Sequence, residues 1–329
     1  MPRAQQLPLF PAPGRPPDKG VASPLAPAEA GPAMAPLPGL TPDSSLAAAS
    51  GAFQTHLLRQ GFSLHTLRAF RSDLNLLAQY AGPGTLIRRM TTAKLNDFLY
   101  WLSQERAQPC NAKSLARRIT TLKVFFKWLA DTEVLRHDPA ETLVHQPVPS
   151  RLPDILYDDQ VDNLRQVART LKDHPDQPDA RPYLLVTLLL TTGIKKSECM
   201  AIALDHLELK ATGGPVLYIR YANPKHHHKE RKLRLPPDFG EVYRLYREQH
   251  QPQVKLFECT PRNLEYVLSD LATRASLPDV SFEILRMTSA VRDYKNGMEP
   301  DTLRQKLGLS RITWADTGEK VKRLAEAAL

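Results

Sequence analysis

Leu67, Phe70, Leu74 and Leu77 fall three or four residues apart, the spacing that lines one face of an α-helix. Ser63 ahead of them can cap a helix N-terminus, so a helix is predicted over 63–80. A second is predicted over 92–106, around Leu95, Phe98, Leu99 and Leu102. The clearest amphipathic pattern spans 112–130. Leu115, Ile119, Leu122, Phe126 and Leu129 alternate steps of four and three and share a face, while Lys113, Arg117, Lys123 and Lys127 project close to the opposite one. A basic face set against a core face suits contact with phosphate, and it suits plain solvation equally well.

The pattern changes after residue 136. Pro139, Pro147, Pro149 and Pro153 stand in a polar stretch over 137–153, the composition of a stiff, extended linker. Asp158 or Asp159 can start the next helix, and 183–191 is short and very apolar. The segments 215–221 and 230–236 read as strands flanking Asn223, Pro224, Lys225 and three histidines, which predicts a hairpin. From about Glu241 onward the chain is helical, with breaks near Pro261, Pro278 and Pro300. Residues 1–43 are crowded with Pro, Ala and Gly; such a stretch cannot bury enough apolar surface to offset ordering entropy and is expected to be disordered.

Composition narrows the function. A chain of 329 residues can bury a substantial core and favours two domains. With 44 Lys+Arg against 35 Asp+Glu the formal charge is +9, which favours a polyanionic partner without choosing among DNA, RNA and an acidic membrane surface. No apolar run approaches the roughly 18 residues needed to span a bilayer, and the start has no charged region leading into an apolar one. A cytoplasmic protein with no membrane association is expected. Cys110, Cys199 and Cys259 are far apart and lack metal-ligand spacing, so they are read as reduced thiols. Consecutive residues such as His226, His227 and His228 point different ways and rarely converge on one ion, so no metal site is assigned to them.

Several segments, in order and at matching spacing, resemble the tyrosine recombinases, or phage integrases, of the Xer type. The stretch His65-Thr-Leu-Arg-Ala-Phe-Arg-Ser-Asp-Leu74 looks like the opening helix of that family's core-binding domain, and 111–129 resembles its last helix. Asp138-Pro-Ala and Leu152-Pro-Asp, with Asp158-Asp-Gln160, match the interdomain link and the start of the catalytic domain. Thr191-Thr-Gly-Ile-Lys-Lys-Ser-Glu198 matches the motif that carries the first phosphate-gripping arginine. The resemblance covers roughly 44–329 and implies a mainly α fold. A helical, SAM-like core-binding domain over 44–136 would be joined by the 137–153 linker to a mostly helical catalytic-type domain with a small antiparallel sheet over 154–329. The two would close around duplex DNA as a clamp.

The resemblance also implies a reaction: a tyrosine oxygen attacks a DNA phosphate, leaving a 3′-phosphotyrosine and a 5′-hydroxyl, with no metal or nucleotide cofactor. Two arginines would hold the non-bridging oxygens, and a hairpin lysine with two histidine-type residues would handle protons. Here the first arginine position is Lys195, which keeps the charge and loses the two-pronged donor. Lys225 takes the hairpin lysine position if the turn carries one extra residue; without it His226 falls there. Glu283-Ile-Leu-Arg286 retains only the arginine of the His-x-x-Arg motif, and a carboxylate at Glu283 repels phosphate. Leu307-Gly308-Leu309 places Leu309 where a histidine belongs, and the nucleophile position nine residues on is Gly318. No tyrosine follows Tyr294, which falls in an apolar pattern and is read as packed; Thr317 is the hydroxyl beside the expected site and, unactivated, a poor nucleophile. The expected activity is therefore DNA binding by a recombinase- or integrase-like protein with impaired or absent cleavage chemistry. Phosphate contact is expected from Lys195, Lys225 and Arg286; for Lys195 and Arg286 structural ion pairing is the plainer alternative. Lys113, Arg117, Lys123, Lys127 and His226 are expected to contact DNA. An active strand-transferase with a displaced nucleophile and a repurposed DNA-binding regulator are the rivals. Partners implied are double-stranded DNA and either further copies of the chain or an intact tyrosine recombinase, with the C-terminal helix around Val321, Leu324 and Leu329 docking on a neighbour.

Overall fold

The computed structural model describes residues 39–144 and 151–327. Most of the tail expected over 1–43 and the centre of the 137–153 linker therefore lie outside the described residues. The chain divides into two compact units, Met1–Pro149 and Ser150–Leu329.

The first unit contains α1 (Leu46–Arg59), α2 (Leu64–Ala81), α3 (Thr92–Tyr100) and α4 (Ala112–Asp131). Ser63 caps α2 by accepting the Thr66 N–H at 3.1 Å, and Asn111 caps α4 by accepting that of Ser114 at 2.8 Å. Their apolar stripes meet in one core in which Phe53, Phe125 and Trp128 meet edge-on or tilted at 5.1–6.2 Å. Helix α1 was not among the predicted elements, although Leu46, Ala49, Phe53 and Leu57 carry helical spacing and are all buried. The helix predicted over 92–106 stops its regular winding at Tyr100. The Arg106 N–H reaches back five residues to the Trp101 carbonyl at 2.9 Å, making Trp101–Glu105 a wide π turn.

The basic face of α4 is less uniform than its spacing suggests. Arg117 donates to Asp73 at 2.7 Å, Thr121 adds a hydrogen bond at 2.8 Å, and Asp73 is only 1% exposed. A buried carboxylate needs such partners, so Arg117 is committed in part to holding α4 against α2. Lys123 donates to the Glu141 carbonyl at 3.1 Å and Lys127 pairs with Asp131 at 2.9 Å, both near the surface.

The second unit contains α5 (Asp158–Lys172), α6 (Arg181–Thr192), α7 (Lys196–Cys199), β1 (Leu207–Glu208), β2 (Val216–Ile219), β3 (Arg231–Arg234), α8 (Phe239–His250), α9 (Pro261–Arg274), α10 (Phe282–Lys295), α11 (Pro300–Lys306) and α12 (Arg311–Ala327). Every residue of α6 from Pro182 to Leu190 is buried; a helix apolar all round belongs at the centre of a unit. It packs against α5, α8, α9, α10 and β3. The strands form one antiparallel sheet in the order β1-β2-β3, with Leu217 opposite Leu233. Two residues of β1 were too few to carry a pattern. Helix α12 rests on α10 of its own chain, with Val321 and Ala325 buried beside Met287 and Val291; Leu329 lies outside the described residues.

Candidate functional site

Helix α6 ends at Gly193, whose φ of 58° is left-handed. A side chain there would also collide with Leu307, 2.9 Å from a Cβ. The chain then turns into Lys195, the residue before α7. Its N–H donates at 2.8 Å to Oε2 of Glu198, so the Ser-Glu pair of the motif is a helix cap.

Glu198 is 4% exposed and does more than cap. Arg231, from β3, donates to both its oxygens at 3.0 and 2.9 Å, and the Tyr221 hydroxyl donates to Oε1. Burial alone would raise the Glu198 pKa, but Arg231, Tyr221 and the Lys195 N–H hold it down to about 2. Burial and the Glu198 carboxylate push Tyr221 up to about 12. Arg231 also donates from Nε to the Lys306 carbonyl at 2.6 Å, tying the sheet to α11.

Arg286 projects from α10 and is 6% exposed. It donates to the Gly193 carbonyl and, at 2.8 Å, to that of Leu307. Both acceptors belong to the two glycine turns, so Arg286 fastens the motif at 193 to the motif at 307–309. Burial lowers its pKa, and Arg231 adds to the effect; Glu198 and Glu283 act in the opposite direction. The Lys195 ammonium is lowered likewise, by burial first and then by Arg286, Lys229 and Arg231 against the opposing field of Glu198. Lys195, Glu283 and Arg286 line one pocket of about 660 Å³ together with Lys196, Arg262 and Tyr266. The same pocket is also lined by Glu265 and Asp279, and Lys196 pairs with Glu265 at 2.6 Å.

The other expected site residues lie elsewhere. Lys225 and His226 sit in an exposed 3₁₀ turn, Pro224–Lys229, between β2 and β3. Asn223 accepts the Lys225 N–H at 3.0 Å, and the His226 ring meets Tyr221 edge-on at 5.7 Å. Lys229, at the end of that turn, is the hairpin cation that bears on Lys195. Neither Lys229 nor Arg231 was singled out from the sequence. Arg231 did carry a signal, since it alternates in phase with buried Leu233 and so faces inward from its strand.

Leu309 exchanges backbone and side-chain bonds with Arg304, at 3.1 and 3.0 Å, and packs on the α10–α12 cluster with Tyr294. Gly318 lies within α12 under the indole of Trp314. A Cβ added there would sit 2.8 Å from Trp314 Cε2. Thr317 beside it is half-buried. Among the described residues no three His, Cys, Asp or Glu side chains are arranged to hold a metal ion, and no helix is long and apolar enough to cross a membrane. Cys110, Cys199 and Cys259 are free.

Residues 51–133 match the phage integrase N-terminal SAM-like domain. The chain is similar to the tyrosine recombinase XerC of Staphylococcus haemolyticus, with 26% identity over 269 residues, covering 76% of this chain and 84% of that one. Its fold is similar to that of the XerH site-specific recombinase bound to a palindromic difH substrate, with a TM-score of 0.69 and 15% identity over 89% of this chain and 98% of the other. It is also similar to a lambda integrase dimer bound to a COC′ core site, with a TM-score of 0.63 and 15% identity over 84% of this chain and 78% of the other.

Proposed function

We propose that this chain, which belongs to the tyrosine recombinase family, binds duplex DNA in a recombination or integration system and does not itself cleave it. Lys195 and Arg286 hold a scissile-type phosphate in the 660 Å³ pocket, and Lys113, Lys123 and Lys127 of the first unit contact backbone phosphates. The observation that carries the non-cleaving half is Gly318. It offers no nucleophile, and Trp314 occupies the space a side chain would need. Phosphodiester transfer needs an in-line nucleophile and paired donors on the phosphate oxygens, and Lys195 supplies a point charge where a guanidinium fork would supply two donors.

The structural relatives include a recombinase bound to its substrate and an integrase dimer on its core site. By extension the chain acts within a multi-subunit complex on DNA, beside further copies or a cleaving relative. The purified protein, incubated with a nicked duplex, is expected to shift the DNA in a native gel and to leave no adduct in a denaturing one. A covalent adduct would overturn this reading.

One observation favours a rival. Tyr266 is an exposed phenol on the rim of the same pocket, its oxygen accepting the Arg262 Nε–H at 2.8 Å. An adduct that formed in the parent and vanished in Tyr266→Phe would make the chain a strand-transferase with a displaced nucleophile.

A further inference from the structure

A second, larger cavity of about 730 Å³ opens between the C-terminal end of α6, strand β3, and helices α10 and α11. Its volume lies in the range of small-molecule sites. Six cations line it, Arg165, Arg231, Lys232, Arg234, Arg292 and Lys306, against the single carboxylate of Asp293. Three of the six are spoken for: Arg231 by Glu198, Arg292 by Asp158 at 3.2 Å, and Lys306 by Asp293. Arg165, Lys232 and Arg234 have no ion pair among the described residues, and Lys232 lies only over the Tyr218 ring at 5.4 Å.

Two further observations set this cavity apart from an ordinary solvated basic face. Ser289, on its wall, is 1% exposed, and its buried hydroxyl has no hydrogen-bond partner among the described residues. A buried hydroxyl left unpaired costs free energy that a ligand can return. Arg165 is half-buried, with its pKa lowered by burial first and by the neighbouring charge of Arg292 second. Two guanidinium groups held near each other in a shared concavity gain from an anion between them, and arginine forks match phosphate oxygens.

We propose that this cavity is a second anion site, separate from the Lys195–Arg286 pocket, and that it takes a phosphate-bearing ligand larger than a single phosphate. Arg165, Arg234 and Lys232 supply charge and donors, and Ser289 supplies a neutral donor from the wall. The site does not depend on the DNA-binding reading of the other pocket, since the two share no lining residue. Its phosphates come from a free polyphosphate or from a DNA backbone strand.

The test titrates the full chain with inorganic tripolyphosphate in metal-free buffer by calorimetry, and with a short duplex by gel shift. Parent, Arg165→Gln, Arg234→Gln and Lys195→Ala are compared. Loss of two arginine donors to a phosphate is expected to weaken binding by about tenfold or more per variant. Tripolyphosphate binding that falls in Arg165→Gln and Arg234→Gln but persists in Lys195→Ala establishes the site with a free polyphosphate as ligand. Duplex affinity that falls in the same two variants establishes it with backbone phosphate as ligand. If neither probe distinguishes the two arginine variants from the parent, the proposal is overturned, whatever Lys195→Ala does. Arg234 is exposed, so Arg234→Gln with Lys232→Gln decides the matter should Arg165→Gln fail to fold.

Discussion

Arg231 grips both carboxylate oxygens of Glu198, and Glu198 in turn fixes the backbone N–H of Lys195 at 2.8 Å. The arginine that sets the geometry around Lys195 therefore lies outside the pocket that Lys195 and Arg286 line. It acts through a buried carboxylate, from a strand 33 residues further along the chain.

Glu198→Gln should destabilise the second unit strongly, because it leaves the Arg231 guanidinium, 8% exposed in its side chain, without its counter-charge. Breaking one partner of a buried pair typically costs about 3–5 kcal/mol. The pH dependence has a definite sign. The Glu198 pKa falls from its ordinary 4.5 to about 2 on folding, so its contribution is present above the ordinary value and is lost as pH falls towards 2. Urea melts of the parent between about pH 5 and 2.5 should lose stability more steeply than those of Glu198→Gln. Parallel slopes would show that Glu198 is not the linked group.

Lys195 carries a lowered pKa because it is half-buried and feels the charges of Arg286, Lys229 and Arg231. A phosphate in the pocket offsets those repulsions and raises the pKa again. Duplex binding in alkaline solution should therefore take up a proton, seen as a calorimetric heat that varies with the ionisation enthalpy of the buffer. Lys195→Arg should abolish that uptake. Equal proton uptake by both proteins would place the phosphate elsewhere.

On α4 the four basic residues should separate into two classes. Neutralising Lys113, Lys123 and Lys127 together should weaken duplex binding and flatten the plot of log affinity against log salt, its slope falling by up to about one for each phosphate that is no longer neutralised. Arg117→Ala should instead lower the melting temperature of the first unit, since Asp73 is buried and loses its 2.7 Å partner. An unchanged salt slope in the triple variant would remove α4 from the DNA interface.

Gly318→Tyr should not restore cleavage. The new side chain meets the Trp314 indole 2.8 Å from its Cβ, and overpacking of this kind costs about 1–3 kcal/mol. In a Trp314→Ala background the same substitution should cost less, a non-additivity that thermal melting of the four proteins measures directly. A covalent adduct formed by Gly318→Tyr alone would contradict both the packing argument and the reading of Lys195 as a weak substitute.

What the sequence made legible follows the range of each interaction. Helices α2, α4 and α6 announce themselves because period and caps are local: Ser63 begins α2, and the apolar run at 183–191 is the core of α6. The positions of Lys195, Glu283 and Arg286 were also reachable, since motif spacing places them, and they line a common pocket. Pairings across the fold were not reachable. Nothing near Arg117 in sequence indicates that Asp73, 44 residues earlier, takes up part of its charge. Nothing near Glu198 names Arg231. The end of α3 falls short of its predicted position because apolar periodicity continues through Leu102, while the backbone widens into a π turn at Trp101. Trp314 lies four residues before Gly318, a spacing that permits their approach, but no pattern marks the indole as filling the space beside the glycine.

The all-round burial of α6 also bears on how the second unit opens in time. The Gly193 N–H is bonded to the Leu189 carbonyl at 2.9 Å, and its own carbonyl anchors Arg286. Amides near the centre of a core helix exchange with solvent only when the whole cooperative unit unfolds. In deuterium the amides of Leu185, Val186 and Leu188, at the buried centre of α6, should thus be among the last of the second unit to exchange, while those of the exposed turn at 224–229 exchange early. The second unit would then hold a slow element and a fast one on either side of Lys195 in sequence, with the hairpin turn the part free to reorder.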